Sequence, residues 1–370
     1  MDADAISIRP KNAIFRDMDN LAAQNSRNRE IDLFRFVAAF AVLLYHYTYA
    51  FPRIDPSFPF SYSLGRVFRY GYLAVDLFFI ISGYVIMLSA HGKTARQFIR
   101  SRVIRLYPVY WISCLLTFGL LSIGSALSSR ATHVPVIQFL FNLTMFQEFF
   151  GYPSISSVYW TLSYELSFYI LVLLIIGFNG WNYLIYFLTG WLAYTFIAGP
   201  VANNSYFSAV FIPKYSAHFI AGILFYLIRQ KMFAAWKLDA LLGLSFIAVL
   251  RSARRLGYEL EGLYHDYFNF MVIAAILGFF FFAFWWIAVY RPDFSRQTFF
   301  STLGALTYPL YLLQGVGAVL FYAIGSRVNS YIMLVLVTGF SLFLAWMAAK
   351  VEGRVRKGWK WREGAVVKSR

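Results

Sequence analysis

Ten stretches of mostly apolar residues alternate with polar and charged segments along this chain of 370 residues. About 20 apolar residues in an α-helix are enough to cross a hydrocarbon core about 30 Å thick. The pattern therefore predicts an all-α polytopic membrane protein with about ten transmembrane helices. The apolar stretch 134–150 is interrupted by polar residues, so we predict an interfacial or re-entrant segment there. We place the spans at residues 31–50, 71–90, 108–127, 157–177, 180–200, 206–229, 237–250, 267–290, 298–324 and 331–349.

The composition and the charge distribution extend this picture. Hydrophobic residues make up 60% of the chain and charged residues 14%, whereas roughly 25% of a soluble domain is charged, so a soluble enzyme is excluded. With the N-terminus placed inside, 23 of the 33 Lys and Arg residues fall on the inner side, which predicts cytoplasmic termini. The net charge of +16 thus records orientation and not nucleic-acid binding. We divide the chain into a cytoplasmic polar tail (1–30), a ten-helix domain (31–349) and a basic cytoplasmic tail (350–370).

Several ionisable residues lie inside the predicted spans. Placing a charged side chain at the membrane centre costs at least about 2.5–3.5 kcal/mol of free energy. The set comprises Arg35, His46, Asp76, Glu165 and His218. Arg35 and His46 are eleven residues apart, so they share a helix face and are separated by roughly 16 Å along the axis. The directions of the spans place His46, Asp76, Glu165 and Gln314 in one layer of the outer half. We predict that this layer is the functional site.

The chemistry of this set leaves three interpretations open. A neutral imidazole oriented by Asp76 or Glu165 can remove a proton from an attacking hydroxyl. It can also carry an acyl group as a covalent intermediate. Proton-coupled transport is the third, since membrane His, Asp and Glu sets also serve as proton relays. We expect no metal site, because no two histidines stand at ligand spacing and the chain has a single cysteine.

A second candidate site is the basic segment at residues 91–107, which we predict to be a loop between the second and third spans. It carries five positive charges and no acid, at Lys93, Arg96, Arg100, Arg102 and Arg105. One interpretation is an anchor on anionic lipid. The other is a site for a phosphate-rich cytoplasmic donor such as a coenzyme A thioester, since arginine forks bind phosphate bidentately.

Four segments in order give the chain a resemblance to the acyltransferase type 3 family of multi-pass membrane acyltransferases that modify carbohydrates. The first has Arg and His separated by ten residues, the second ends in Ser-Gly-Tyr, the third has Arg-x-x-Arg before Tyr-Pro, and the fourth contains Trp-x-Leu-x-x-Glu-x-x-Phe-Tyr. A weaker fifth match follows near the C-terminus. These segments are residues 29–46, 71–84, 102–111, 159–169 and 303–313.

This resemblance implies transfer of an acyl group, usually acetyl, from cytoplasmic acyl-CoA to a sugar hydroxyl of a surface or exported glycan. It implies His46 as the catalytic residue, Arg35 as its motif partner, and Arg102 and Arg105 as donor-handling residues. We expect Arg100 to join these two in binding the coenzyme A phosphates. The chain departs from the family where Gln314 stands, because the family often has His there.

The resemblance also implies a setting for the protein. We expect a bacterial inner (plasma) membrane, contact with membrane lipid, and work alongside other proteins of polysaccharide biosynthesis. No permanently bound cofactor is expected, because acyl-CoA would be a substrate. The alternative is a transporter or flippase of a lipid-linked saccharide. A transporter ordinarily shows an internal repeat, whereas the distinctive polar residues here crowd into the first 170 positions.

Overall fold

The computed structural model describes residues 29–55, 62–127, 133–200, 206–292, 298–324 and 328–368. Nearly all of the predicted polar tail at 1–30, and the last two residues of the basic tail, therefore lie outside the described residues. Within the described segments the chain forms fourteen α-helices and no β-strand. We number the helices α1 (Arg29–Tyr45), α2 (Phe51–Ile54), α3 (Tyr62–Phe68), α4 (Ala74–Ala90), α5 (Ala95–Leu127), α6 (Val136–Leu143), α7 (Trp160–Gly177), α8 (Leu184–Ala198), α9 (Tyr206–Phe211), α10 (Ser216–Gln230), α11 (Ala235–Tyr264), α12 (Phe270–Tyr290), α13 (Thr298–Ile324) and α14 (Ser330–Lys368).

The all-α polytopic membrane fold predicted from the sequence is confirmed. In the part of the chain that the structure describes, eight helices or helix pairs are long and apolar enough to span a membrane. The predicted spans 180–200 and 237–250 correspond to α8 and α11, which are not among the eight. With 15 residues, α8 is roughly 22 Å long, and α11 continues into a charged segment beyond residue 250. The count of ten and the cytoplasmic termini stay predictions.

We predicted that the basic segment 91–107 is a loop, and this prediction is wrong. Most of the segment forms the first three turns of α5. Only residues 91–94 form the connection from α4. The helix starts early because Thr94 and Gln97 form a capping box. Gln97 N donates to Thr94 Oγ1 (3.3 Å) and Thr94 N donates to Gln97 Oε1 (3.0 Å). The sequence carries this signal as Thr94-x-x-Gln97. The arginines therefore occupy fixed helical positions.

The segment predicted to be interfacial, 134–150, forms the short helix α6 and a 3-10 turn, Gln147–Phe150. Eight residues in α6 are too few to span the bilayer. The polar side chains that interrupt the stretch have local partners. Asn142 Nδ2 donates to the Gln138 and Pro153 carbonyls, and Asn142 Oδ1 accepts from Ile155 N. This segment lies beside the start of α7 and holds its connection in place.

The helix packing at the centre of the protein depends on small residues. The helices α4 and α10 cross at Gly83 and Gly222, where a Cβ on either residue would collide with the backbone of the other helix. Such close approach between membrane helices is typical of glycine. Helix α13 packs mainly against α1 and α14, and Gly304 of α13 lies against the Asp32 carboxylate of α1. These contacts surround α1, the helix that leads to His46.

Candidate active site

The α-helical hydrogen bonding of the first span changes at His46, where a π-helical segment, His46–Ala50, follows α1. Such π segments are common at functional sites because they re-aim side chains. The His46 Nδ1 atom lies 2.9 Å from Oε1 of Gln314 on α13. The imidazole also stacks on Phe51, with ring centroids 5.3 Å apart. The ring is therefore held on two sides, by an amide and by an aromatic face.

Gln314 fixes which nitrogen of His46 carries the proton. The Gln314 amide nitrogen donates to the Tyr311 carbonyl (2.8 Å), so the amide oxygen is the atom that faces His46. An oxygen of this kind only accepts hydrogen bonds, so Nδ1 of His46 must be the donor. In a neutral imidazole the other nitrogen, Nε2, then has a free lone pair. This arrangement is suited to a base or a nucleophile.

The position of Gln314 is itself well determined. Its backbone carbonyl accepts a hydrogen bond from the Tyr47 hydroxyl (2.6 Å), which also contacts Ser341 Oγ on α14 (2.9 Å). We expected Asp76 or Glu165 to orient the His46 ring, and this expectation does not fit the geometry. The orienting contact comes from Gln314, because α13 and not α4 or α7 presents a polar atom to Nδ1.

A cavity of about 220 Å³ lies beside His46, and we call it the histidine chamber. Asp76 lines it, as the sequence analysis anticipated, but its carboxylate is engaged elsewhere. Oδ1 of Asp76 lies 2.6 Å from Nε2 of the buried His218 on α10, without the alignment of a hydrogen bond. The remaining wall is rich in aromatic side chains, including Tyr45, Tyr72, Trp160, Tyr215, Tyr264 and Tyr311.

A smaller cavity of about 90 Å³, the arginine chamber, adjoins the histidine chamber. Val75 and Tyr311 line both. Arg35, Arg102 and Arg105 line the arginine chamber together with Glu165. Glu165 accepts a hydrogen bond from Tyr169, one turn further along α7. Glu165 therefore belongs with the arginines and not with His46, so the single polar layer that we predicted divides into two neighbouring sets.

A third cavity, the vestibule, continues the series and has a volume of about 370 Å³. Its wall shares Arg35, Arg105 and Tyr308 with the arginine chamber. Its other polar residues come from the ends of α1 and α14, which lie on the same side of the molecule. They include Asp32, 4.0 Å from Arg35, and Glu352, which accepts from Arg356 at 3.2 Å. The three cavities form a series from the start of α1 to His46.

Arg100 does not take part in this series. Its side chain is exposed, and its guanidinium lies over the Trp359 ring of α14, 5.0 Å from the centroid. Arg102 and Arg105, at two and five residues further on, point into the arginine chamber because α5 turns by about 100° per residue. The structure thus groups Arg102 and Arg105 with Arg35 and not with Arg100, and donor binding by these residues stays a prediction.

Sequence reasoning missed the tyrosines of the site. Tyr169 follows Glu165 by four residues on one helix, so the two share a face. Tyr308, Tyr311 and Gln314 follow one another at intervals of three along α13, and all contribute to the cavities or to His46. These spacings were visible in the sequence. They were masked by the many other tyrosines of the chain.

Comparison with known proteins bears on this arrangement. A family model described as an acyltransferase domain, of the acyltransferase 3 type, matches residues 28–350. The match includes every helix that contributes to the three cavities. Only the part of α14 after residue 350 extends beyond it. Neither the curated proteins nor the solved structures show a match to the chain.

Proposed function

The chain belongs to the acyltransferase type 3 family and is a membrane acyltransferase, and we propose that it moves an acyl group from acyl-CoA to a hydroxyl of a carbohydrate. The observation that carries this proposal is the series of cavities. It joins a basic vestibule at one membrane face to a histidine with a free Nε2 lone pair. A donor with phosphates and a reactive thioester at opposite ends suits such an arrangement.

The donor would enter through the vestibule. Arg105, Arg35 and Arg356 line this cavity, and guanidinium groups bind phosphate oxygens by paired, charge-assisted hydrogen bonds. Arg102 lines the arginine chamber but not the vestibule, and its guanidinium lies over the Phe98 and Tyr169 rings. The pantetheine arm would then pass the arginine chamber. The distance to cover is roughly 16 Å, the rise of α1 between Arg35 and His46.

The reaction would take place in the histidine chamber. Nε2 of His46 removes the proton of an acceptor hydroxyl, and the oxygen attacks the thioester carbonyl. The C–S bond breaks, the acyl group forms an ester with the sugar, and the departing thiolate takes the proton back from His46. Gln314 holds Nδ1–H throughout, so the imidazolium that forms transiently keeps the same orientation.

The same lone pair also permits a two-step route. Nε2 would attack the thioester, expel the thiolate and form an acyl-imidazolium that keeps Nδ1–H. The sugar hydroxyl then attacks its carbonyl, the bond to Nε2 breaks and restores the lone pair, and the hydroxyl proton passes to the thiolate. Both routes use the same atom of His46 and the same entry for the donor. They differ in whether a covalent acyl-enzyme forms when acyl-CoA is present without acceptor.

The acceptor would approach from the opposite side to the donor. We propose a glycan that is exported or displayed at the cell surface, acylated at a bacterial inner membrane with the vestibule facing the cytoplasm. The acyl group would be acetyl, and other proteins of polysaccharide assembly would present the glycan. The Lys and Arg distribution of the sequence supports this orientation.

The proposal is tested with purified protein in lipid nanodiscs, radiolabelled acetyl-CoA and glycan from cells that lack the protein. Label should appear as an alkali-labile ester on the glycan. His46→Ala should abolish the transfer, while His133→Ala, a change at an exposed histidine outside the three cavities, should not. Full transfer by His46→Ala would contradict the mechanism. Movement of glycan across the membrane without ester formation would favour the transporter instead.

A further inference from the structure

A fourth cavity, the outer pocket, lies at the end of α7 that carries Trp160 and has a volume of about 750 Å³. Pockets for small ligands range from about 300 to 1,000 Å³. None of its wall residues takes part in the mechanism above. The wall combines aromatic and polar side chains, among them Glu148, Phe149, Phe150, Ser163, Tyr164, Ser208 and Lys214.

A thin aromatic wall separates the outer pocket from the histidine chamber. The ring of Tyr164 lies 5.7 Å from Trp160 and 5.0 Å from Tyr215, centroid to centroid. Trp160 and Tyr215 line the histidine chamber, whereas Tyr164 lines the outer pocket. The two cavities are therefore one aromatic layer apart. A chain molecule held in the outer pocket would bring its neighbouring unit to the histidine chamber only if a side chain of this aromatic layer moved aside.

One polar group in the outer pocket is buried without a hydrogen-bond partner. Ser163 is 6% exposed, and its Oγ meets no donor or acceptor at hydrogen-bond geometry. The Glu148 carboxylate lies close enough to interact with this hydroxyl, but outside hydrogen-bond geometry. A buried hydroxyl without a partner is costly by about 1–3 kcal/mol. Ser163 lines a space large enough for a ligand that would satisfy this hydroxyl once the side chain turns towards it.

The charges around the outer pocket restrict what such a ligand can be. Nζ of Lys214 lies 3.0 Å from Oε2 of Glu259, and that carboxylate also pairs with Arg255 at 3.4 Å, so Lys214 has an acidic partner that it shares with another cation. Among the described contacts of Glu148, the hydrogen bond that its carboxylate accepts comes from a neutral group, the Ser154 hydroxyl, at 3.0 Å. Its negative charge is thus not balanced by a cation there. An anionic group placed next to Glu148 would be repelled, whereas hydroxyl groups can donate to this carboxylate.

We propose that the outer pocket binds an uncharged, hydroxyl-rich saccharide unit of the acceptor, next to the unit that is acylated. This inference rests on the proposed function. Glu148 accepts hydrogen bonds from sugar hydroxyls, Ser163 pairs with another, and Tyr164 and Phe149 pack against the apolar face of the sugar ring. The pocket thereby sets which hydroxyl of the chain reaches His46.

The test separates acceptor binding from catalysis. Glu148→Gln and Ser163→Ala are made both in the active protein and in the His46→Ala protein in nanodiscs. The probe is the host glycan after removal of its ester groups with mild alkali. Asp239→Asn serves as the matched control, because it removes one carboxylate charge at an exposed position outside the four cavities.

We expect Glu148→Gln to weaken glycan binding and raise the KM for the glycan by roughly 10-fold, the effect of one lost hydrogen bond to a charged group. The affinity for coenzyme A and kcat should stay within about 2-fold. Ser163→Ala should act in the same direction, less strongly. A glycan with a uronic acid in its repeating unit should bind the wild type more weakly than an uncharged one, and Glu148→Gln should narrow that difference.

Unchanged glycan affinity in both variants would overturn the inference, as would tighter binding of the acidic glycan. A rise in the coenzyme A dissociation constant equal to the loss of glycan affinity would also overturn it, since a general folding defect explains that result. Failure of the proposed function has a different signature. In that case the wild type binds glycan through Glu148 but transfers no acyl group to it.

Discussion

Oε1 of Gln314 lies 2.9 Å from Nδ1 of His46, and the amide nitrogen of Gln314 is bound to the Tyr311 carbonyl. An amide thus occupies the place that a carboxylate holds in a Ser-His-Asp triad. It orients the imidazole and fixes its tautomer but brings no negative charge to stabilise an imidazolium. In the proposed mechanism His46 can therefore stay neutral inside the membrane until an acceptor hydroxyl arrives.

Gln314→Leu should lower kcat by roughly 10- to 100-fold, because the His46 ring loses its tautomer and its orientation while the side-chain volume is nearly kept. Gln314→Glu retains an acceptor oxygen and should retain more activity than the leucine variant. Acyl transfer by the two variants at equal protein amount is the measurement. Equal activity of the leucine variant and the wild type would show that the contact does not matter for the reaction.

The two arginines Arg105 and Arg100 offer a matched comparison on one helix. Arg105→Gln should raise the KM for acyl-CoA by roughly 10-fold, since Arg105 lines both the vestibule and the arginine chamber. Arg100→Gln removes the same charge from an exposed position over Trp359 and should leave this KM almost unchanged. Steady-state kinetics at saturating glycan distinguishes the two. The opposite ranking would restore Arg100 as a donor ligand.

The buried pair Asp76–His218 ties α4 to α10. Asp76→Leu alone should destabilise the protein by about 1–3 kcal/mol, because it leaves the buried His218 imidazole without its partner in the core. The double variant Asp76→Leu/His218→Leu should recover part of this loss. Thermal unfolding of the detergent-solubilised proteins gives the ranking. A double variant less stable than either single one would mean that the two residues act independently.

The close crossing of α4 and α10 at Gly83 and Gly222 predicts that an added methyl group lowers the yield of folded protein there but not at Gly119. Gly222→Ala should reduce folded protein strongly, since its Cβ would meet the Ile80 carbonyl and would approach Gly83 Cα to 2.9 Å. Overpacking of this kind costs about 1–3 kcal/mol or more. Gly119→Ala adds the same methyl group to α5 where nothing lies within 4 Å. Its yield in the membrane should equal or exceed that of the wild type.

Asp266, in the loop between α11 and α12, predicts a pH-dependent contribution to stability. Burial alone would raise the pKa of this carboxyl, but hydrogen bonds from Arg53 (2.8 Å) and Tyr49 (3.0 Å) outweigh it and hold the pKa below the usual 3.8. A carboxyl group whose pKa is lower in the folded than in the unfolded protein stabilises the fold at pH values above its unfolded pKa. This contribution is lost as the pH falls through its folded pKa. Asp266→Asn should therefore lower Tm at pH 7 but make little difference near pH 2–3. An equal Tm difference at both pH values would contradict this reasoning.

The sequence was sufficient for the parts of the site that lie on one helix. Arg35 and His46 face adjoining cavities because helical periodicity sets their relative direction. The partner of Asp76 could not be predicted in this way. It lies 142 positions further on, and the contact depends on how closely α4 and α10 approach at their glycines. Glu165 was assigned to the wrong neighbour for the same reason: depth along a span does not determine which face a side chain occupies.

The arginine chamber has a consequence for the membrane as a barrier. A water-filled route through a helical bundle would let protons and small cations leak and would dissipate the membrane potential. Here the smallest cavity, about 90 Å³, is also the one that three guanidinium groups line against a single carboxylate. Positive charge at a constriction repels cations and protons. In the proposed enzyme, the arginines that bind the donor phosphates would thus also keep cations and protons out of this passage between turnovers.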